Sequence, residues 1–267
     1  MPRLLVGTEW FEAVASVDFY EVHFETLVMQ HAAHLFPDYF AVPFKTSLSS
    51  EYGTRKPDLA LIDRQYRTWW VVEVELAHHS LYNHVLPQIQ VFATASYGPS
   101  EAEYLRRQDS TLSLVSLVEM MRGAPPKVLV IVNQAVPDWV DVLGMFRAAV
   151  GVVEVFRSGR NESILRVNGE QPVALGPLVS LCHFDPLVPR LLCVDSPASL
   201  GEGVDGRFAI EFEGSVSEWK RVDAADRVWL NPRGGNPLPG AGEFELFKTE
   251  SGRFVFKVRE DTRWRSS

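Results

Sequence analysis

The stretch KPDLALIDRQYRTWWVVEVEL, residues 56–76, constrains this chain more than any other segment. It holds two apolar runs, DLALID and WWVVEVEL, and the five residues RQYRT between them allow only a tight connection, so two strands in sequence are predicted. Side chains alternate along a strand, which puts Trp69, Val71, Glu73 and Glu75 on one face and Trp70, Val72, Val74 and Leu76 on the other. Glu73 and Glu75 then stand about 7 Å apart on a strand that is otherwise apolar, where two carboxylates repel and resist desolvation. A divalent cation would remove that conflict. The competing reading makes them the solvent face of an edge strand, which the tryptophans and valines around them argue against.

The rest of the first part alternates helix and strand. Residues 10–36 are predicted as one long helix, with Tyr20, Phe24, Leu27, His31 and Leu35 at helical spacing and Pro37 ending it. A strand over 40–46, a polar loop over SLSSEYGTR, and the two strands above come next. Pro87 sets the start of the following helix near Leu86, and Gly98-Pro99 marks its end. A helical region over 101–122, a buried strand over 127–133, a helix over PDWVDVLGMFRAAV, a strand over GVVEVFRS and an edge strand over NESILRV complete an α/β domain of residues 1–170, a mixed central sheet flanked by helices. From 171 to 267 the chain turns to proline, glycine and short strands (RFAIEFEG, DRVWLNP, GEFELFKT, GRFVFKVRE), predicting a second, smaller β-rich domain whose last two strands form a hairpin.

Composition narrows the function. The net charge of −8, spread over both parts, argues against broad affinity for nucleic acid, so any such groove must be local. No apolar run approaches a membrane span and the first residues lack a signal peptide's pattern, which predicts a cytoplasmic protein without membrane attachment. Cys182 and Cys193, in apolar contexts without CxxC spacing, are predicted to be buried free thiols. Phosphate-cradling glycine loops and GxSxG elbows are both missing. Six of the seven histidines lie before residue 85, including HAAH at 31–34 and the pair His78-His79, but without HExxH or accompanying cysteines packing or capping explains them more simply than zinc. Trp219, Lys220, Arg221, Arg227, Trp229 and Arg233 interleave basic and aromatic residues, as a binding surface does, although a small β domain also needs tryptophan for its core.

A helix glutamate, a strand, Pro57-Asp58 at a strand start, and a strand carrying paired acids, in that order over roughly residues 15–98, resembles the PD-(D/E)XK nuclease superfamily. The resemblance implies a restriction-endonuclease-like fold and metal-dependent hydrolysis of phosphodiester bonds in DNA, ahead of RNA. Asp58 matches the motif aspartate, Glu73 the second acid, and Glu25, ahead of Glu21, the helix glutamate. Mg²⁺ or Mn²⁺ is the implied cofactor, with Glu25, Asp58 and Glu73 as its ligands, since hard cations take oxygen donors from several elements and retain water. Glu75 stands where the family usually has lysine. Lys45, from the preceding strand, or Lys56, beside the Pro-Asp pair, would then supply the missing positive charge. Gln88 matches a glutamine that contacts the nucleic-acid backbone in some members. The departure at Glu75 keeps open a second expectation, a catalytically inactive relative that binds nucleic acid or protein, with a homodimer or a protein partner through the C-terminal domain.

Overall fold

The structure is a computed structural model that describes residues 2–169, 172, 174–203, 205–213, 215–224, 227–240, 242–249 and 252–259. The chain divides into two compact units, Met1–Pro172 and Val173–Ser267. The first is α/β with a mixed sheet, and the second is a β-barrel.

The N-terminal segment departs from the expected helix. Strands β1 (Arg3–Val6) and β2 (Glu9–Ala13) form a hairpin around Gly7, whose φ of +60° lies in the left-handed region that glycine enters freely. Phe11 is buried between exposed neighbours, a period of two that suits a strand and that the helical reading of 10–36 missed. After a 3₁₀ turn at Ser16–Asp18 the helix itself is only α1 (Glu21–Gln30), followed by the single turn α2 (Ala32–Leu35). Phe24 and Val28 are its buried residues, and α1 packs on the strand of the two acids. His31, expected on the apolar stripe, is exposed at the break between the helices.

Strand β3 (Tyr39–Pro43) leads into a short ribbon of β4 (Leu48–Ser50) and β5 (Gly53–Arg55), where a polar loop was expected. The strands β6 (Leu59–Asp63) and β7 (Trp69–Glu75) then form the antiparallel hairpin on which the site is built. Asp63 fixes its turn. One carboxylate oxygen accepts the Gln65 N–H at 2.7 Å, and the other accepts the Arg67 N–H at 3.1 Å, the Thr68 N–H at 2.6 Å and the Thr68 hydroxyl at 3.0 Å. A π-helical turn over Leu81–Val85 runs into α3 (Leu86–Thr94), whose start at Leu86 agrees with the Pro87 signal.

The expected helical region 101–122 is two helices, α4 (Pro99–Gln108) and α5 (Leu114–Gly123). Asp109 and Ser113 cause the break, because their side chains accept the N–H groups of Thr111 and Ser116 and compete with helix continuation. Strand β8 (Lys127–Val132), helix α6 (Pro137–Gly144), and strands β9 (Ala148–Ser158) and β10 (Ser163–Gly169) follow. The helix stops short of Ala148–Val150, which join β9 after Arg147 takes a φ of +55°. The sheet order is β1-β2-β9-β8-β7-β6-β3, with β10 also on β9; β3, β6 and β7 form an antiparallel meander, and β7, β8 and β9 run parallel. Trp69, Val71, Val130 and Val132 face a core filled by Ile89, Leu105 and Leu117 from the helices.

The second unit comprises β11 (Leu178–Phe184), β12 (Leu192–Val194), a turn of helix α7 (Pro197–Leu200), β13 (Arg207–Phe212), β14 (Ser215–Ala224), β15 (Arg227–Pro232), β16 (Glu243–Lys248) and β17 (Phe254–Val258). The seven strands close in the order β11-β12-β15-β14-β13-β17-β16, antiparallel throughout except for β13 beside β17. The expected hairpin is the β16–β17 pair. Its turn residues Glu250 and Ser251, the strand-end residues Gly214, Asp226 and Glu260, and the expected boundary residues Glu170 and Gln171 lie outside the described residues.

The interleaved basic and aromatic residues are largely taken up inside the barrel's own structure. Trp219 is fully buried against Phe256, Trp229 donates to Asp185, Arg221 pairs with Asp223, and Arg233 pairs with Glu218. Both cysteines are buried and free, and burial pushes the Cys182 thiol up to about 12. Among the described residues no helix is long and apolar enough to cross a membrane.

Candidate metal centre

The site arises where the β6–β7 ladder stops. The pairing runs from Ile62 opposite Trp69 to Leu59 opposite Val72, and Pro57, which has no N–H, cannot extend it. Glu73, Val74 and Glu75 are therefore paired only on their other side, with Val130, Ile131 and Val132 of β8. The Asp58 carboxylate fills part of the gap by accepting the Val74 N–H at 2.7 Å. Phe44 N–H donates to the Asp58 carbonyl at 2.8 Å, which brings the residue after it, Lys45, to the same notch.

Three acids are buried here: Asp58 at 5% exposure, Glu73 at 4% and Glu75 at 0%. Lys45 sits between two carboxylates, its ammonium hydrogen-bonded to Asp58 Oδ1 and 2.8 Å from Glu25 Oε2. Burial pulls the ammonium's pKa down, but the bonds to Asp58 and Glu25 outweigh it and hold the group above its ordinary value. Burial likewise raises Asp58, against the lowering effect of Lys45 and the Val74 N–H. Glu73 is pushed well above the usual carboxylate range by burial and then by the fields of Asp58 and Glu75. Its Oε2 is buried without a hydrogen-bond partner among the described residues. An orphaned oxygen of this kind fits the donor set of a cation site, since burying it unpaired costs about 1–3 kcal/mol or more for a charged group.

Glu75 has a different environment. His79 Nδ1 lies 2.6 Å from its Oε2, while Gln88 Nε2 at 2.6 Å and His84 Nε2 at 3.1 Å meet Oε1. Glu21 Oε2 approaches His79 Nδ1 to 3.8 Å. Burial raises Glu75 to about 7, with His84 opposing and Glu21 and Asp58 reinforcing the rise. Gln88, the residue expected on a nucleic-acid backbone, donates to this carboxylate and orients it.

The structure therefore brings Glu25, Lys45 and Asp58 together directly, puts Glu73 within their electrostatic reach, and ties Gln88 to Glu75. Lys56 is exposed and makes no ion pair with these acids. Tyr97 lies beyond the end of α3, where its hydroxyl donates to the Phe92 carbonyl and its ring packs edge-on against Trp69. Among the described residues, two groups of three or more histidine, cysteine or acidic ligand atoms lie within 4.8 Å of one another: Glu21, Glu75, His79 and His84, and, in the barrel, His183, Cys193 and Asp195. Glu25, Asp58 and Glu73 are not such a group.

Sequence reasoning did not tie His79 or His84 to Glu75, because it assigned HAAH and His78-His79 alike to packing or capping; His31 and His34 are both exposed on or beside α2. The available signal was position: His78-His79 follows the acidic strand at once, and His79 stands four residues after Glu75. No family model, curated protein or solved structure matches this chain.

Proposed function

We propose that the first unit is a metal-dependent phosphodiesterase of the PD-(D/E)XK nuclease type, acting on DNA ahead of RNA, with Asp58 and Glu73 holding Mg²⁺ or Mn²⁺. The observation that carries the reading is the notch beside β7, where Lys45 bonds to the buried Asp58, both act electrostatically on the buried Glu73, and Glu73 Oε2 has no partner among the described residues. The order of elements supports it too: a helix, an antiparallel meander with its acids at the β6–β7 opening, helices, and β8 parallel to β7.

A bound Mg²⁺ or Mn²⁺ would lower the pKa of a water and offset charge on the scissile phosphate. Two carboxylates suffice for such an ion because it keeps several waters. Asp58 is oriented for this by the Val74 N–H, which leaves Oδ1 to face Lys45. The half-exposed Lys45 ammonium supplies the positive charge for the phosphate that a motif lysine at position 75 would have supplied. Glu25 then positions Lys45 rather than ligating the ion. Tyr20, which precedes Glu21, and Tyr82, two residues before His84, are exposed, and they offer rings on which unpaired bases can stack.

The catalytically inactive reading draws on one observation: Lys45 already neutralises Asp58 and Glu25, as a bound cation otherwise would. Incubation of the full chain with single- and double-stranded DNA and RNA separates the two. Cleavage that needs Mg²⁺ or Mn²⁺, stops with chelator, and is lost in Asp58→Asn and Glu73→Gln supports the nuclease. Cleavage that survives both substitutions refutes the site, and no cleavage with any substrate and metal selects the inactive module.

A further inference from the structure

We infer that Glu21, Glu75, His79 and His84 form a second, chemically different metal site, one that takes a first-row transition-metal dication, Zn²⁺ foremost. The four ligand atoms lie within 4.8 Å of one another. Ligands tetrahedrally disposed about zinc at bonds of roughly 2.0–2.1 Å are about 3.4 Å apart. Separations of 2.6 Å (His79 Nδ1 to Glu75 Oε2), 3.1 Å (His84 Nε2 to Glu75 Oε1) and 3.8 Å (His79 Nδ1 to Glu21 Oε2) bracket that spacing.

The donors set the class of ion. Two imidazoles with two carboxylates suit zinc, manganese, iron or cobalt, whereas magnesium and calcium prefer oxygen throughout. The cage is also built as metal sites are. Glu75 is its fully buried floor, while the Glu21 and His84 side chains, 44% and 47% exposed, form a mouth through which an ion can enter and can close in on it. Gln88 holds Glu75 from outside the ligand set, the usual role of an outer hydrogen-bond partner. The wide π turn, capped by the Ser80 hydroxyl accepting the Asn83 N–H, swings His84 back over the carboxylate. His78 packs edge-on against His79, and its own ring nitrogen lies 3.1 Å from the Ser16 hydroxyl.

This site does not depend on the nuclease reading, because its test measures metal and not cleavage.

The full chain, stripped with chelator, is titrated with Zn²⁺, Mn²⁺ and Mg²⁺ by calorimetry, and with Co²⁺ by visible absorption. A His183→Ala background removes the barrel group from the count. One Zn²⁺ per chain is expected, bound far more tightly than Mg²⁺. His84→Ala and Glu21→Gln, both at half-exposed positions that leave folding intact, each weaken Zn²⁺ by at least ~10-fold, and Gln88→Ala does so by roughly 10–100-fold. Asp58→Asn leaves Zn²⁺ binding unchanged. Failure to bind Zn²⁺, undiminished binding in His84→Ala with Glu21→Gln, or loss of all binding in the His183→Ala background overturns the site.

Discussion

Replacing Asp63 tests whether the site depends on the turn that sets its strands in register. Asp63 is 1% exposed and its carboxylate accepts four hydrogen bonds, three of them from the backbone N–H groups of Gln65, Arg67 and Thr68. Each net bond contributes about 0.5–1.5 kcal/mol, which gives about 2–6 kcal/mol for the four. Arg64, Gln65 and Arg67 are exposed, so water replaces part of what Asp63→Ala removes, and the expected loss is about 2–3 kcal/mol. Asp63→Asn keeps an acceptor oxygen and is expected to lose about half as much. Hydrogen exchange of the Trp69–Glu75 amides reads this directly and separately from the barrel, as a loss of protection of roughly 30- to 150-fold in Asp63→Ala. The same variant is expected to weaken metal binding at both groups of acids, although residue 63 touches neither. A change below about 0.5 kcal/mol, or a local loss with metal binding intact, would refute the inference that this turn positions Asp58 against β7.

Two further predictions concern pH and the barrel. In metal-free protein Glu75 holds its proton more tightly folded than unfolded, with a pKa of about 7 against 4.5, so the stability it contributes is fully present below about 4.5 and is lost as pH rises through about 7. The gap corresponds to roughly 3 kcal/mol, and exchange of the β7 amides in Glu75→Gln relative to the unsubstituted chain should shift by that order between pH 4.5 and 8; a constant difference refutes it. Trp219→Ala removes a fully buried ring packed on Phe256 and strands its hydrogen bond to Ser217, for an expected loss of about 3–5 kcal/mol in the barrel, and a loss under about 1 kcal/mol in the exchange of β13 and β14 contradicts that packing.

What could be read from the sequence was whatever local pattern decides. The strands over 59–63, 69–75 and 127–132 announce themselves as apolar runs, and Pro87 marks the start of α3 because a missing N–H has only a few tolerable places in a helix. The segment 10–36 misled because Tyr20, Phe24, Leu27 and His31 fall at helical spacing within a longer stretch whose first residues, through Ala13, are committed by pairing to β1 and β9, partners that no local window contains. Lys45 was legible as a candidate because it follows the strand beside Asp58, but its ion pair with Glu25 depends on where α1 docks. The partners of Glu75 were only partly legible. His79 stands four residues after it, but His84 and Gln88 reach it through a π turn, whose wider pitch breaks the spacing by which helical neighbours are recognised.

The parallel contact of β13 with β17 has a consequence for how the second unit can meet other molecules. That pairing joins the two ends of what would otherwise be an open sheet, so every strand of the barrel has a neighbour on each side. Among the described residues β13 and β17 pair only through Ile210–Phe254 and Glu211–Val255, so an added peptide strand finds only the short unpaired ends of these two strands. A partner of this unit is then recognised mainly by side chains and loops, which makes its specificity a property of surface residues that can change without disturbing the fold.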